Sequence, residues 1–400
     1  SYKDSGVEWL GEIPEHWEVK KIKYIGKIKS GDAIVNNELK DSGKYEVFGG
    51  NGLMGYCNRY NVTNESFIIG RVGAYCGNVR FNNQKRWISD NALIFSLFKD
   101  ESYNYVFHLL TASRLNSLNS SNAQPLITGN KVINFNIPYP PRDEQTKIAS
   151  FLDEKTAQID EVISQKEKLI ELLKERKQIV INDAVTKGLD KNVEMIDSGV
   201  EWIGKIPKHW GILPLKACTK LKSIKNVPDL ELLSVYLDLG VIRFKDVEQK
   251  RTNVTSIDLS DYQLVEKGDF VLNNQQAWRG SVGVSKYKGI ISPAYIVLEL
   301  SDKFNFIFAN YYFRNKLTVS QYLINSKGVG TIQRNLYWGS LKQTYISIPP
   351  KNEQVQIVEY IENQTTKIDK AIELQQNYIS KLKEYKASLI DSVVTGKVKV

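Results

Sequence analysis

From Ile159 onward the seam positions step by four and three in turn: Ile159, Ile163, Lys166, Ile170, Leu173, Lys177, Val180 and Ala184. That alternation is a heptad helix seam, because strands repeat at every second residue. Adding 209 to each number gives Ile368, Ile372, Gln375, Ile379, Leu382, Lys386, Leu389 and Val393, interrupted by polar residues at the same two places. The pattern predicts one long helix present twice, from about Gln145 to Lys187 and from Gln354 to about Thr395. About 40 residues rising ~1.5 Å each make an arm on the order of 60 Å. So narrow an apolar stripe does not hold a lone helix in water, so the two copies are expected to pack on each other.

The ends are duplicated as well. Pro140-Pro141-Arg142-Asp143-Glu144-Gln145 leads into the first copy and Pro349-Pro350-Lys351-Asn352-Glu353-Gln354 into the second. In both, prolines close an extended segment and Asp143 or Asn352 offers an N-cap oxygen. At the exits, Thr186-Lys187-Gly188 and Thr395-Gly396-Lys397, a glycine can take the left-handed conformation that ends a helix.

A second repeat fixes the order of parts. Residues 4 to 17 read DSGVEWLGEIPEHW and residues 197 to 210 read DSGVEWIGKIPKHW, offset by 193. With the helices offset by 209, the second intervening domain is 16 residues longer, and the chain runs segment, domain, helix, then segment, domain, helix. Helix one ends, after a short link, beside the second copy of the segment. By symmetry helix two ends near the first copy, so the helices are expected to run antiparallel with the chain termini close together. The boundaries expected are 1–143 for the first segment and domain, 144–190 for a central helix, 191–351 for the second segment and domain, and 352–400 for a C-terminal helix. Inside the domains, runs such as Phe67 to Ile69 and Ala92 to Leu97 alternate with glycine turns, and helices are expected at about 103–118 and 304–323. Both domains read as mixed α+β units.

Charge sorts by these parts. Residues 17–141 hold 15 Lys+Arg against 9 Asp+Glu, and residues 211–350 hold 18 against 11. The helical stretches are near balance, 9 against 11 in 142–190 and 8 against 7 in 351–400. Two basic domains on near-neutral arms suggest two contacts with a polyanion, whereas a merely high isoelectric point would not require such sorting. At 400 residues, with 42% hydrophobic and 25% charged residues, the composition is that of ordinary globular protein. No apolar run is long enough for a membrane span and no secretion signal opens the chain, so a cytoplasmic location is expected. The chain opens on Ser1, consistent with a processed or trimmed start. Cys57, Cys76 and Cys218 lack metal-ligand or disulfide-framework spacing and read as inert core thiols.

Catalytic motifs are missing: there is no GxxxxGK[ST] phosphate loop, no N/D-P-P-Y/F methyltransferase motif and no HExxH. His16 and His209 sit beside Trp17 and Trp210 in the repeated segment, where packing explains them better than catalysis, and His108 lies in an apolar run. Pro228-Asp229-Leu230-Glu231-Leu232-Leu233 matches part of a nuclease acidic motif but lacks its lysine. In Gly70-Arg71-Val72-Gly73-Ala74-Tyr75-Cys76-Gly77-Asn78, close glycines let backbone amides approach phosphate, and Arg71, Asn78 and Arg80 add charge or base-edge donors. Plain hairpins use such glycines too. In the second domain Asn274, Gln275, Gln276, Trp278 and Arg279 form a comparable cluster: Asn and Gln suit adenine, Arg suits guanine, and Trp278 serves equally as a packing anchor. Lys131, and Gln333 with Arg334, stand before the two long helices as further phosphate or base contacts. At the seam, Lys166, Lys177, Gln375 and Lys386 read as long stems that reach out to water, with register control the alternative.

These residues resemble one known family, the DNA-specificity subunits of type I restriction-modification enzymes. The resemblance covers essentially the whole chain. It is carried by the repeated DSGVEW-x-G-x-IP-x-HW segment, the PP-x-x-EQ helix entries, VFGGNGLMGY at 47–56, IIGRVGAYCGNV at 68–79, ISDNALIF at 88–95, KGDFVLNNQQAWRGSVGVS at 267–285 and GIISPAYIV at 289–297. It implies two mixed α/β target recognition domains separated by a pair of long antiparallel coiled-coil helices, with a pseudo-twofold internal repeat. Each domain would read one half of a bipartite, asymmetric double-stranded DNA site, so the chain would be a non-catalytic specificity subunit directing methylation and restriction. The partners implied are two modification subunits carrying S-adenosylmethionine and restriction subunits using ATP and Mg; no cofactor is expected in this chain. A nonspecific architectural DNA-binding protein, or the specificity subunit of a reduced assembly of another restriction class, are the alternatives.

Overall fold

A computed structural model describes residues 1–119, 125–227, 229–246, 259–329 and 333–400, with the side chains of Val329 and Gln333 left aside. Two long helices dominate, α3 (Arg142–Lys187) and α7 (Lys351–Val394). Each starts three residues before the glutamine expected to open it, directly after its second proline. Asp143 and Asn352 therefore lie inside the first turn and are not N-caps. The entry is braced instead by the glutamines: Gln145 Nε2 donates to Pro140 O at 3.0 Å and Gln354 Nε2 to Pro349 O at 2.9 Å. The exits follow the expected chemistry. Gly188 and Gly396 have φ of +76° and +74°, and a Cβ on Gly396 would overlap Pro14.

The chain divides into two compact units, 1–168 with 375–400, and 169–374. In unit one, β1 (Tyr2–Asp4) pairs with β2 (Glu12–Pro14), and β3 (Glu18–Lys21) with β11 (Asn136–Tyr139). An antiparallel sheet of order β4-β10-β7-β8 (Gly26–Ser30, Ala92–Leu97, Ser66–Gly70, Val79–Asn82) forms its centre. Beside it lies β6-β5-β9 (Gly52–Cys57, Tyr45–Gly49, Trp87–Ile88), with β9 parallel to β5. Helices α1 (Tyr103–Ala112) and α2 (Gly129–Ile133) complete the unit. Phe67, Phe95, Tyr105 and Leu109 share one core with Leu152 of α3, with Leu10, Ile13 and Trp17 of the repeated segment, and with Ile390, Val393 and Val394 of α7. Full burial of each large apolar side chain stabilises by about 1.5–3 kcal/mol, so apolar packing is what pins the segment to the helix end. Tyr2 Oη donates to Gly396 O at 3.0 Å, which brings the termini together as the repeat spacing requires.

Unit two repeats the plan. β12 (Met195–Asp197) pairs with β13 (Lys205–Pro207), and β14 (Gly211–Pro214) with β25 (Tyr345–Ile348). The central sheet has order β15-β22-β19-β20 (Thr219–Lys222, Tyr295–Leu300, Phe270–Asn273, Val282–Val284), which is the order of unit one. Pairs β16·β17 (Leu233–Tyr236, Gly240–Arg243), β18·β21 (Gln263–Val265, Gly289–Ile291) and β23·β24 (Ser326–Val329, Gln333–Leu336) surround it. The helices are α4 (Phe306–Arg314), α5 (Lys316–Ile324) and α6 (Trp338–Leu341). Ala184 and Val185 of α3 pack in one core with Ile206 and Trp210 of the second segment and Ile357 and Ile361 of α7.

The helices expected at 103–118 and 304–323 are each broken. Arg114, left-handed at φ +46°, ends the first, and a 3-10 turn, Leu115–Leu118, follows it. Asn315 breaks the second: its Nδ2 donates to Tyr312 O at 2.6 Å while its Oδ1 caps Thr318 N–H at 3.0 Å. One short side chain thus closes α4 and opens α5.

Within each unit the long helices run antiparallel and are tied by the polar seam residues. In unit one, Lys386 Nζ lies 2.6 and 2.7 Å from the Asp160 carboxylate, and Lys166 Nζ is 2.9 Å from Gln375 Oε1 and 4.7 Å above the Tyr378 ring. In unit two, Lys177 Nζ sits 2.7 Å from Asp369. These lysines do not simply reach out to water; each takes a partner on the facing helix.

Candidate nucleic-acid interface

His16 Nε2 is 2.7 Å from Glu144 Oε1, and Trp17 Nε1 donates to Glu144 Oε2 at 2.8 Å. The second copy repeats this with His209 at 2.7 Å and Trp210 at 3.1 Å from Glu353. The glutamate of each helix entry therefore latches the HW pair of its segment. His108 is buried and paired with Asp153 Oδ1 at 2.7 Å. All three cysteines are free and buried, and burial pushes the Cys218 thiol up to about 12. Glu231 of the acidic stretch is neutralised by Lys245 at 2.6 Å and Arg243 at 3.2 Å; Pro228 lies outside the described residues. Among the described residues no group of three or more His, Cys, Asp or Glu could hold a metal ion, and no helix is long and apolar enough to cross a membrane.

The two polar stretches singled out in the sequence occupy one topological place. Residues 71–78 join the third and fourth strands of the central sheet in unit one, β7 and β8, and residues 274–281 join the third and fourth in unit two, β19 and β20.

In unit one the connection folds back on itself. Gly77 N–H donates to Gly70 O at 2.8 Å, Cys76 N–H to Gly73 O at 3.0 Å, Asn78 N–H to Tyr75 O at 3.2 Å and Gly70 N–H to Asn78 O at 2.9 Å. Arg71 and Gly73 N–H are taken by Asn91 O and Pro125 O. The glycines thus serve a tight turn, and these amides are not free to cradle phosphate. Gly77 has φ +86°, and a Cβ there would overlap the Asn116 backbone. Arg71 is half-buried; Nη1 donates to Ser30 Oγ at 3.1 Å and Asp90 O at 3.3 Å, while Nε is buried without a partner among the described residues. Asn78 and Arg80 are exposed, and Arg80 Nη2 donates to Asn51 O at 3.2 Å in the β5–β6 turn. Ile127 N–H donates to Arg71 O at 2.9 Å, which returns the chain to this loop just before Lys131. Exposed Lys131 gives Nζ to Leu118 O at 3.0 Å, a carbonyl left over by the 3-10 turn.

In unit two the same connection holds a 3-10 turn, Ala277–Arg279, closed by Gly280. Leu336 N–H is shared by Asn274 O at 3.0 Å and Asn274 Oδ1 at 2.9 Å, which ties β24 to the loop. Asn274 would have to give up that bond to read adenine through both amide atoms. Gln275 is exposed and Gln276 half-buried. Trp278 Nε1 donates to Gln275 O at 3.1 Å, and its ring carries two guanidinium groups, Arg279 at 4.6 Å and Arg334 at 5.8 Å. Two distant candidate stretches thus meet on one indole. Gln333 opens β24, and its side chain lies outside the described residues. The sequence reading missed exposed Lys327 and Gly328, which face Asn335 and Arg334 across the β23·β24 pair. The polar residues Ser326 and Lys327 just before the candidates Gln333 and Arg334 are the signal that pointed there.

A family model described as the type I restriction modification DNA specificity domain matches residues 14–172 and again 220–384. The type I restriction enzyme EcoprrI specificity subunit of Escherichia coli is 32% identical over 153 residues; the match spans 38% of this chain and 37% of that protein. The type I restriction enzyme MjaVIII specificity subunit of Methanocaldococcus jannaschii is 26% identical over 420 aligned residues, covering 97% of this chain and 94% of that one. Among solved structures, a chain from work on complex assembly and conformational transition of the type I R-M system matches with a TM-score of 0.65 at 14% identity, over 96% of this chain and 99% of that chain.

Proposed function

The chain belongs to the type I restriction-modification DNA specificity family, whose members recognise DNA target sequences to direct methylation and restriction, and on that premise we propose that its two domains read the two unlike halves of one bipartite, asymmetric double-stranded site. One observation carries this reading. The same strand connection bears Arg71 and Asn78, with Arg80 just beyond it on β8, in unit one and a tryptophan platform with Gln275, Gln276 and Arg279, joined by Arg334 of β24, in unit two. A duplicated frame with different polar side chains at one place is what two different base sequences require. Lys131 and Asn274 join these sets as phosphate contact and loop clamp, and Gln333 as a further base contact. The recognition parts are 1–143 and 191–351, and 144–190 with 352–400 are the helical spacers.

The chain itself is a non-catalytic component. Its chemistry comes from partners: two modification subunits that bring S-adenosylmethionine, and restriction subunits that use ATP and Mg, acting on DNA in the cytoplasm. Purified chain with labelled S-adenosylmethionine and DNA is expected to transfer no methyl group until a modification subunit is added. Replacing residues 17–141 by the matching domain of a relative is expected to change one half of the methylated motif and leave the other. Transfer by the chain alone, or a change in both halves, would overturn this reading.

A further inference from the structure

The β23·β24 ribbon contains a glycine that its own fold does not use. Its register sets Ser326 against Leu336, Lys327 against Asn335 and Gly328 against Arg334. Opposed residues of an antiparallel pair project to the same face, and so do residues two apart. Gly328 and Arg334 therefore share the face on which Ser326 and Leu336 are buried at the ribbon's root. Gly328 lies in a strand with an ordinary φ, and a Cβ added there would meet nothing within 4 Å among the described residues. Two other glycines with an ordinary φ in this domain are crowded, a Cβ on Gly289 overlapping Glu231 and one on Gly283 coming to 3.0 Å of Val241 N, whereas Gly211, which opens a strand, and Gly339 have room; of these, Gly328 is the one set inside a strand with open space above it. A glycine in mid-strand weakens the strand and packs nothing. Where space stands open above it, the remaining use is the close approach of a ligand.

What stands on that face is already arranged. Arg334 leans over Trp278, which also carries Arg279 and is held by its Nε1 bond to Gln275 O. The strand is fixed to the loop by the shared Leu336 N–H. On the opposite face, exposed Lys327 lies 4.6 Å over the Tyr337 ring.

We infer that the β23·β24 ribbon enters the major groove of the half-site read by unit two, with Gly328 at the point of closest approach and Trp278 the positioning residue that aims Arg279 and Arg334 at guanine edges. The inference rests on the DNA-reading function above. A two-stranded ribbon fits the major groove of B-DNA, and guanine presents there the O6 and N7 pair that a guanidinium engages with two bonds. Lys327, on the outer face, supplies a phosphate contact at the groove wall.

The test uses the full chain with its modification subunit. Methylated fragments from a random duplex library are sequenced to obtain the site, and affinity is then measured on a labelled duplex bearing it. Gly328→Val is expected to unfold at the wild-type temperature or above and to lose about tenfold or more in target affinity, with Gly328→Ala losing less. Trp278→Leu is expected to relax the choice at guanines of the second half only, and Trp278→Phe, which keeps an aromatic face, to restore it. Wild-type affinity in a folded Gly328→Val protein, failure of both glycine variants to fold, or unchanged base choice in Trp278→Leu would each overturn the inference. A wild-type complex that methylates without sequence preference would instead overturn the functional reading beneath it.

Discussion

Gln145 and Gln354 occupy the same place in the two copies of the helix entry, yet they do unequal amounts of structural work. Gln354 is fully buried with Oε1 and both amide hydrogens engaged: Oε1 accepts from Asn305 N–H at 2.7 Å, and Nε2 donates to Lys303 O at 2.8 Å and Pro349 O at 2.9 Å. Gln145 is buried as well; it braces Pro140 O, but its Oε1 accepts nothing among the described residues. Asn305 caps α4, so in unit two the helix entry also holds the domain's own helix in place. Duplication has kept the residue, and its surroundings have diverged. Identity between repeats therefore does not fix energetic weight.

The largest effect is expected here. Gln354→Ala strips partners from one buried backbone group, Pro349 O, and from two that water can partly reach, Lys303 O and Asn305 N–H; at about 1–3 kcal/mol for the buried group and less for the others, a net loss of about 2–4 kcal/mol is expected. Gln145→Ala removes the bond to Pro140 O and the contact with the Tyr139 hydroxyl together with an orphan acceptor, and about 1–2 kcal/mol is expected. Amide exchange at the first turns of α7 and α3 reads the two sites separately. Equal losses would show that the asymmetry carries no energy.

Much of the frame was legible in the sequence because it is local or repeated. The heptad seam gave the long helices, the offsets of 193 and 209 gave the antiparallel path, and Gly188 and Gly396 marked the helix ends. Where a side chain's partner lies far along the chain, the pattern gave less. Asp143 and Asn352 look like N-caps, yet each helix already starts directly after its second proline. Arg114 and Asn315 break helices that periodicity alone continues. The loop at 70–78 has the composition of an amide cradle, but its carbonyls face inward and take those amides. Trp278 was visible as an aromatic among polar residues. That it gathers Arg279 and Arg334 depends on the β24 clamp, which no local pattern encodes.

A second comparison sets Arg71 against Arg334. Arg71 is gripped by Ser30 Oγ and Asp90 O, whereas Arg334 rests on an aromatic face. Arg71→Ala is expected to weaken target binding by about 1–3 kcal/mol and to relax the first half of the motif alone if the side chain reads a guanine. An equal fall on target and random duplex would assign it to phosphate, and no change would remove it from the site. Arg334→Ala is expected to mirror this in the second half, as sequencing of methylated fragments will report.

The smallest effect concerns the lysines of the seam, where the repeats are most alike. Lys177–Asp369 and Lys386–Asp160 are the same pair shifted by 209 in each member, at 2.7 and 2.6 Å. The lysine side chains keep 29% and 28% of their exposure and the aspartates more than half, so solvent screens both pairs. Double-mutant cycles with Lys177→Ala and Asp369→Ala, and with Lys386→Ala and Asp160→Ala, are expected to give couplings of about 0.3–1 kcal/mol each. Both should shrink as salt is raised from about 0.01 to 1 M, because the screening length then falls from ~30 to ~3 Å. Replacing both lysines by Leu is expected to cost little stability or to raise it, since an apolar seam residue buries more surface. The loss should lie in register: with no cation to meet Asp369 or Asp160, neighbouring alignments of the helices come closer in energy. Spin labels on facing helix positions would then report a broadened distance distribution in the double Leu variant. A distribution as narrow as that of the wild type would show that the apolar seam sets the register unaided.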